Sequence, residues 1–213
     1  YVAVRSSATA EDLPNASFAG QQETFLNVKG KDKLVHAVHQ CWASLYTARA
    51  IYYREKNNFE HSKVLIAVVV QKMVESTKAG VMFTINPNTN EQEVLIEASF
   101  GLGDVVVSGA VSPDQYIVSK NSLKIKQVII SKKDWMMYRD SNTGRTTKRI
   151  LSQEKANSQV LSKDDILKLA NLAIKIESYY NVPQDIEFAF ESNSLFIVQS
   201  RPITTLKKIS KRL

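Results

Sequence analysis

Two spacings of apolar residues organise the chain. Across residues 32–57, Leu34, Val35, Val38, Trp42, Leu45 and Tyr52 recur at helical spacing, which predicts one long helix with this stripe turned inward. A second helical run follows Ser162-Lys163-Asp164-Asp165, a capping box with Asp in place of the usual Glu, and carries Ile166, Leu169, Ala173, Ile176 and Tyr180 before Pro183 limits it. Residues 64–74, 79–86 and 93–100 are strand-like and are expected to form a three-stranded antiparallel meander. Residues 115–120 and 123–131 read as a hairpin, and 101–109 as a tight strand-to-helix turn. The polar stretch 140–148, with its turn at Asn142-Thr143-Gly144, is expected at the periphery. The predicted class is α+β, a mixed α/β arrangement in which a mainly antiparallel sheet is flanked by two long helices.

The last strand-like runs carry candidate chemistry. Asp185-Ile186-Glu187-Phe188-Ala189-Phe190-Glu191 and Phe196-Ile197-Val198-Gln199-Ser200-Arg201-Pro202 are joined by a short polar link and should pair as an antiparallel hairpin. Strand alternation lets Glu187, Gln199 and Arg201 share one face, with Phe188 and Val198 on the other. Magnesium asks for only one or two protein oxygen ligands, because phosphate oxygens and waters complete its shell. Glu187 and Gln199 meet that requirement, and Arg201 supplies a cationic fork for phosphate. A merely solvated polar strand face is the competing reading.

At the other end, a short strand reaches Arg5 and gives way to a loop rich in small and hydroxyl residues, from Ser6 through Gly20 to Thr24. Its unshielded amides suit phosphate recognition, although the sequence matches neither the P-loop nor the dinucleotide fingerprint.

Composition narrows the class. The chain has 213 residues, 44% of them apolar, enough for a substantial core in one domain or two lobes. Its single cysteine, Cys41, excludes an internal disulfide and reads as a core residue in a reducing, cytoplasmic setting. The longest apolar run, 64–70, is too short to span a bilayer, so no membrane role is expected. The net charge of +7 suggests nucleic-acid binding, but the lysines lack interleaved aromatics, and no nucleic-acid partner is expected. A non-catalytic protein-binding module is the other alternative; it would show an exposed apolar patch. His36, His39 and His61 read as structural or surface histidines.

The run from Val4-Arg5-Ser6-Ser7-Ala8-Thr9-Ala10-Glu11-Asp12 through Ser17-Phe18-Ala19-Gly20-Gln21, then Phe100-Gly101-Leu102-Gly103, Ser112-Pro113-Asp114, Asp185-Ile186-Glu187 and Val198-Gln199-Ser200-Arg201-Pro202, resembles the nucleotide-binding domain of dikinase-type phosphotransferases. That family includes phosphoenolpyruvate synthase, pyruvate phosphate dikinase and rifampin phosphotransferase; Cys41-Trp42-Ala43-Ser44-Leu45 and the stretch from Gln199 to Thr205 look most like the last of these, with the synthase very close behind. The resemblance covers residues 1–206, with 207–213 a basic tail or the start of a linker, and it implies an ATP-grasp-like fold. It further implies phosphate binding by Arg5 and Arg201, a loop with Gly20 and Thr24 closing over the phosphates, and magnesium on Glu187 and Gln199. Gln71 and Met73 would lie on the adenine side, with Asp185 and Glu97 in ribose or supporting roles. Family members cleave ATP to AMP and phosphate and pass the β-phosphoryl group to a histidine on a separate swivelling domain, which serves an acceptor-binding domain. Neither the phosphohistidine motif nor the lysine-bearing N-terminal subdomain is found here, so the chain is expected to be a fragment, inactive alone in full transfer. The acceptor, whether pyruvate, water or a rifamycin, is left open.

Overall fold

The structure, a computed structural model, describes residues 1–8, 12–13, 16–17 and 23–203. It divides into two compact units, Tyr1–Met73 with Ser141–Arg145, and Val74–Asp140 with Thr146–Leu213.

In the first unit, β1 (Val2–Ala8) is followed by the short pair β2 (Asp12–Leu13) and β3 (Ala16–Ser17), then by β4 (Thr24–Val28), α1 (Lys31–Ala43), α2 (Ala48–Lys56) and β5 (Ile66–Lys72). The three-stranded sheet has the order β4-β1-β5, and both pairings are antiparallel. The first strand does not stop at Arg5, because Ser6, Ser7 and Ala8 continue the ladder opposite Val68, Ala67 and Ile66. Val4 and Val28 pack on Ala37 and Cys41 of α1. Burial pushes the Cys41 thiol above its ordinary value, with nearby Glu23 adding to the effect, so Cys41 acts as a small core residue.

The expected long helix is broken. Ser44–Tyr46 forms a 3-10 turn, and Thr47 adopts an extended conformation from which its hydroxyl accepts a hydrogen bond from Ala50 N, capping α2. A capping Thr offers the backbone an alternative to continuing the helix, which helical periodicity alone does not register. The stripe also divides: Leu34 and Val38 pack on the core and Leu45 is buried, whereas Val35, Trp42 and Tyr52 are exposed.

The second unit adds β6 (Lys78–Phe83), β7 (Glu93–Phe100), α3 (Asp104–Val107), β8 (Asp114–Ser119), β9 (Ile125–Ile129), β10 (Trp135–Arg139), β11 (Thr146–Ile150), α4 (Gln153–Asn157), α5 (Lys163–Tyr180), β12 (Gln184–Glu191) and β13 (Ser194–Pro202). Its six-stranded sheet has the order β13-β12-β6-β7-β8-β9 with antiparallel neighbours throughout. The expected meander is therefore wrong at its first strand: β5 pairs with β1 in the other unit's sheet, and β6, β7 and β8 continue the meander. The expected 115–120/123–131 hairpin forms as β8 and β9, and the polar stretch turns out to be the tip of a hairpin, with β10 and β11 on either side.

One face of this sheet is dry. Met82, Val94, Ile96, Tyr116, Ile186, Phe188 and Phe190 alternate inward and meet Ile166, Leu169, Ala170 and Ala173 of α5. The predicted capping box opens α5: Ser162 accepts from Asp165 N, and Asp165 accepts from Ser162 N. Asn181 ends the helix in the left-handed region. Of the two long helices expected, α5 forms over 18 residues, whereas the first is divided into α1 of 13 residues and α2 of 9.

A buried polar network ties the sheet to the segment before α5. The Asp114 carboxylate accepts hydrogen bonds from Ser131 N at 3.0 Å, Val160 N at 2.8 Å and the Tyr116 hydroxyl at 3.0 Å, and it pairs with Lys133 Nζ. Asp114 and Lys133 are both completely buried. Burial pushes the Tyr116 hydroxyl well above the usual tyrosine range, leaving it neutral, and it accepts from Leu161 N at 3.1 Å.

Candidate nucleotide site

The face of the six-stranded sheet opposite α5 carries the predicted polar residues. Glu187 stands directly across from Gln199, and Asp185 across from Arg201. Between these pairs and the hairpin turn, Val198 is an extra residue, since Phe188 pairs with Ile197; Val198 therefore does not simply alternate with Gln199 as expected. A bulge of this kind bends and twists a hairpin locally, here beside the candidate site. The turn itself needs only Ser192 and Asn193, with Ser192 at φ 56.

Arg201 is held by Asp185: Nε and Nη2 both donate to Oδ2, at 2.9 and 2.8 Å. The two side chains are 24% and 15% exposed, so the pair is shielded enough to fix the guanidinium. The sequence reading gave Asp185 a ribose or supporting role; the geometry makes it the group that orients Arg201.

The Glu187–Gln199 row continues across the sheet. Glu187 lies opposite Val81, Val81 opposite Glu97, and Glu97 opposite Gln115. Glu97 thus stands two strands from Glu187, roughly 10 Å away at ordinary strand spacing. Gln115 Nε2 donates to Glu97 Oε1 at 2.7 Å. Gln115 was not anticipated, although the alternation of buried Asp114 and Tyr116 around it marks an outward position. Gly80 lets the strands meet beside Glu97, because a Cβ there would sit 1.8 Å from the Glu97 carbonyl oxygen.

The first unit gathers a second set. Arg5 is opposite Thr24 on β4 and Val69 on β5, and Ala3 is opposite Gln71. Val4 faces α1, so Arg5, Thr24 and Gln71 share the other sheet face. Met73 follows β5, and its amide donates to the Tyr1 carbonyl at 3.1 Å. Gly20 lies outside the described residues. A groove of about 570 Å³ between β4 and α1 meets this set only at Thr24. His36 and His39 are exposed on α1, and His61 is clasped between Arg54 Nε at 2.7 Å and Glu55 Oε1 at 2.6 Å. Among the described residues no group of three or more His, Cys, Asp or Glu side chains is placed to hold a metal, and no helix is long and apolar enough to cross a membrane. A site of Glu187 with Gln199 would in any case need phosphate and water ligands.

An antiparallel sheet with α5 on one face and carboxylate, amide and guanidinium groups on the other defines a mixed α/β domain. Residues 1–212 match the family model described as "Pyruvate phosphate dikinase, AMP/ATP-binding domain", and the chain belongs to that family of ATP-binding domains. It is 56% identical over 216 aligned residues to the phosphoenolpyruvate synthase of Pyrococcus furiosus, covering 98% of this chain and 26% of that protein. Against the probable phosphoenolpyruvate synthase of Methanothermobacter thermautotrophicus it is 54% identical, covering 97% of this chain and 30% of the relative. The rifampicin phosphotransferase of Bacillus cereus is 48% identical, with 97% and 24% covered. Both enzymes to which the sequence is likened, phosphoenolpyruvate synthase and rifampin phosphotransferase, are thus among its relatives. The chain spans about a quarter of the length of the curated relatives it matches.

Proposed function

We propose that the chain binds ATP with magnesium as the phosphoryl-donor domain of a dikinase-type phosphotransferase, with an ATP-grasp-like fold. The observation that carries this reading is the pairing of Glu187 with Gln199 beside the Asp185–Arg201 ion pair on the sheet face opposite α5. The donor set, one carboxylate and one amide oxygen, fits a hard cation that keeps waters and phosphate oxygens. Magnesium held there would neutralise phosphate charge and align the polyphosphate.

Arg201, oriented by Asp185, binds phosphate oxygens, and Arg5 supplies the second phosphate-binding guanidinium. Thr24, which opens β4 opposite Arg5 instead of lying in a loop, contributes its hydroxyl to the phosphates, with Gly20 as a further phosphate contact. Gln71 and Met73 contact the base, and Glu97, held by Gln115, serves the ribose or supports the metal site. In the full-length enzyme ATP is cleaved to AMP and phosphate, with the β-phosphoryl group passed to a histidine on a separate domain. That histidine then serves an acceptor such as pyruvate or a rifamycin.

The test is nucleotide affinity with and without magnesium. ATP should bind more tightly than AMP, and chelation of magnesium should weaken ATP more than AMP. Equal affinities under all four conditions would defeat the reading.

A further inference from the structure

Strand β13 presents Gln199 and Arg201 on the site face only because of its bulge. Counted from the turn, Glu191 stands opposite Ser194, Phe190 opposite Leu195, Ala189 opposite Phe196 and Phe188 opposite Ile197. Continued without an extra residue, that register would set Val198 opposite Glu187, Gln199 opposite Ile186 and Arg201 opposite Gln184. Ile186 and Gln184 are buried, and Ile186 lies in the core under α5, so both side chains would turn away from the site. The extra residue, Val198, shifts the pairing by one and returns them to the face of Glu187 and Asp185. Burying an amide and a guanidinium disfavours the unbulged register, but it does not hold the bulged one in place. β13 is the end strand of its sheet, with β12 as its one ladder partner among the described residues, so the bulged segment needs further anchoring.

Two side-chain contacts pin that segment, one on each face. The Asp185–Arg201 ion pair is on the site face. On the other face the Ser200 hydroxyl donates to Gln184 Oε1 at 2.8 Å. Gln184 is 2% exposed and is itself anchored: its Nε2 donates to the Val182 carbonyl at 3.2 Å, its backbone N–H donates to Thr84 Oγ1 at 2.8 Å, and its carbonyl accepts from Thr84 N at 2.9 Å. Ser200 sits between Gln199 and Arg201 in the chain and diagonally across the pair from Gln184. In the unbulged register Ser200 would stand opposite Asp185, on the wrong face to reach Gln184. We propose, resting on the nucleotide reading of this sheet face, that Gln184 and Ser200 are positioning residues: their hydrogen bond locks the bulged register and so holds Gln199 and Arg201 on the site face.

Amide hydrogen exchange and ATP titration of the full-length polypeptide test it together. Ser200→Ala should speed exchange across residues 198–201 about fivefold, the scale of one neutral hydrogen bond, while α5 is unchanged. The same variant should weaken ATP binding in magnesium by about fivefold and shrink the gain in affinity that magnesium brings. Ser200→Thr, which keeps the hydroxyl, should restore exchange and affinity, and Gln184→Leu should reproduce the loss. Exchange that Ser200→Ala leaves at the wild-type rate would overturn the proposal. So would quickened exchange with wild-type ATP affinity while Gln199→Ala weakens binding, or a loss that Ser200→Thr does not restore. Quickened exchange with an ATP affinity indifferent to Ser200→Ala, Gln199→Ala and Arg201→Ala alike would defeat the nucleotide reading and leave the register lock standing.

Discussion

Asp185 receives two hydrogen bonds from Arg201 on a single carboxylate oxygen, Oδ2, across adjacent strands of one hairpin. The guanidinium is thereby fixed in orientation beside the Glu187–Gln199 row. In the proposed site this makes Asp185 a positioning residue, distinct in its effect from Arg201 itself.

Asp185→Asn should therefore weaken ATP binding less than Arg201→Ala. Loss of a charge-assisted phosphate contact costs about 1.5–3 kcal/mol, or roughly ten- to a hundredfold in affinity, whereas a misoriented guanidinium retains part of its charge interaction. Equilibrium titration of both variants checks the order; equal losses would remove the positioning role.

The Asp114–Lys133 pair should behave as a buried ion pair does. Asp114→Leu alone leaves the Lys133 ammonium without its counter-charge in the interior and should cost about 3–5 kcal/mol, while Asp114→Leu with Lys133→Met should recover much of that loss. Denaturant melts of the single and double variants measure the recovery. A double variant no more stable than the single would show that the hydrogen bonds to Ser131 and Val160, not the charges, dominate.

The α5 cap gives a pH prediction. Burial tends to raise the Asp165 pKa, but the hydrogen bonds from Lys78 at 2.5 Å and from Ser162 outweigh it, and the carboxyl sits below its ordinary value. A carboxylate whose folded-state pKa is depressed stabilises the fold above its unfolded value, near 3.9, and that contribution is lost as the pH falls through the folded value. Stability should thus drop on acidification below about pH 4, and Lys78→Met should flatten the drop. Ser162→Ala should cost about 1 kcal/mol at neutral pH, read from thermal melts.

Gly101 is at φ +81, and a Cβ there would lie 2.1 Å from the Met137 carbonyl oxygen. Gly101→Ala should lower stability by more than the roughly 1 kcal/mol of an ordinary glycine substitution, because backbone rather than a flexible side chain stands in the way. A melt unchanged within error would contradict the close approach.

What the sequence revealed depended on whether the signal was local. The Asp185–Pro202 hairpin, its polar face and the α5 capping box follow from period-two alternation, a short link and a Ser-x-x-Asp spacing, each contained within a few residues. The fate of β5 was not legible, because residues 66–72 can pair equally well with a neighbour in sequence or with the distant β1. The break at Thr47 was hidden by apolar spacing that runs on across it. Trp42 and Tyr52 misled for a different reason: spacing reports that a residue is apolar, not which surface buries it. Asp185 and Gln115 needed cross-strand register, which sequence spacing alone does not supply.

Calorimetric titration of the full-length polypeptide with ATP, in magnesium and in chelator, bears most directly on the proposed site. Glu187→Ala should weaken ATP binding about tenfold in magnesium, the scale of one lost metal ligand, and leave the chelated affinity unchanged. Arg201→Ala should weaken it in both conditions. Affinity that neither substitution alters, with magnesium present, would contradict the assignment of this sheet face to the nucleotide.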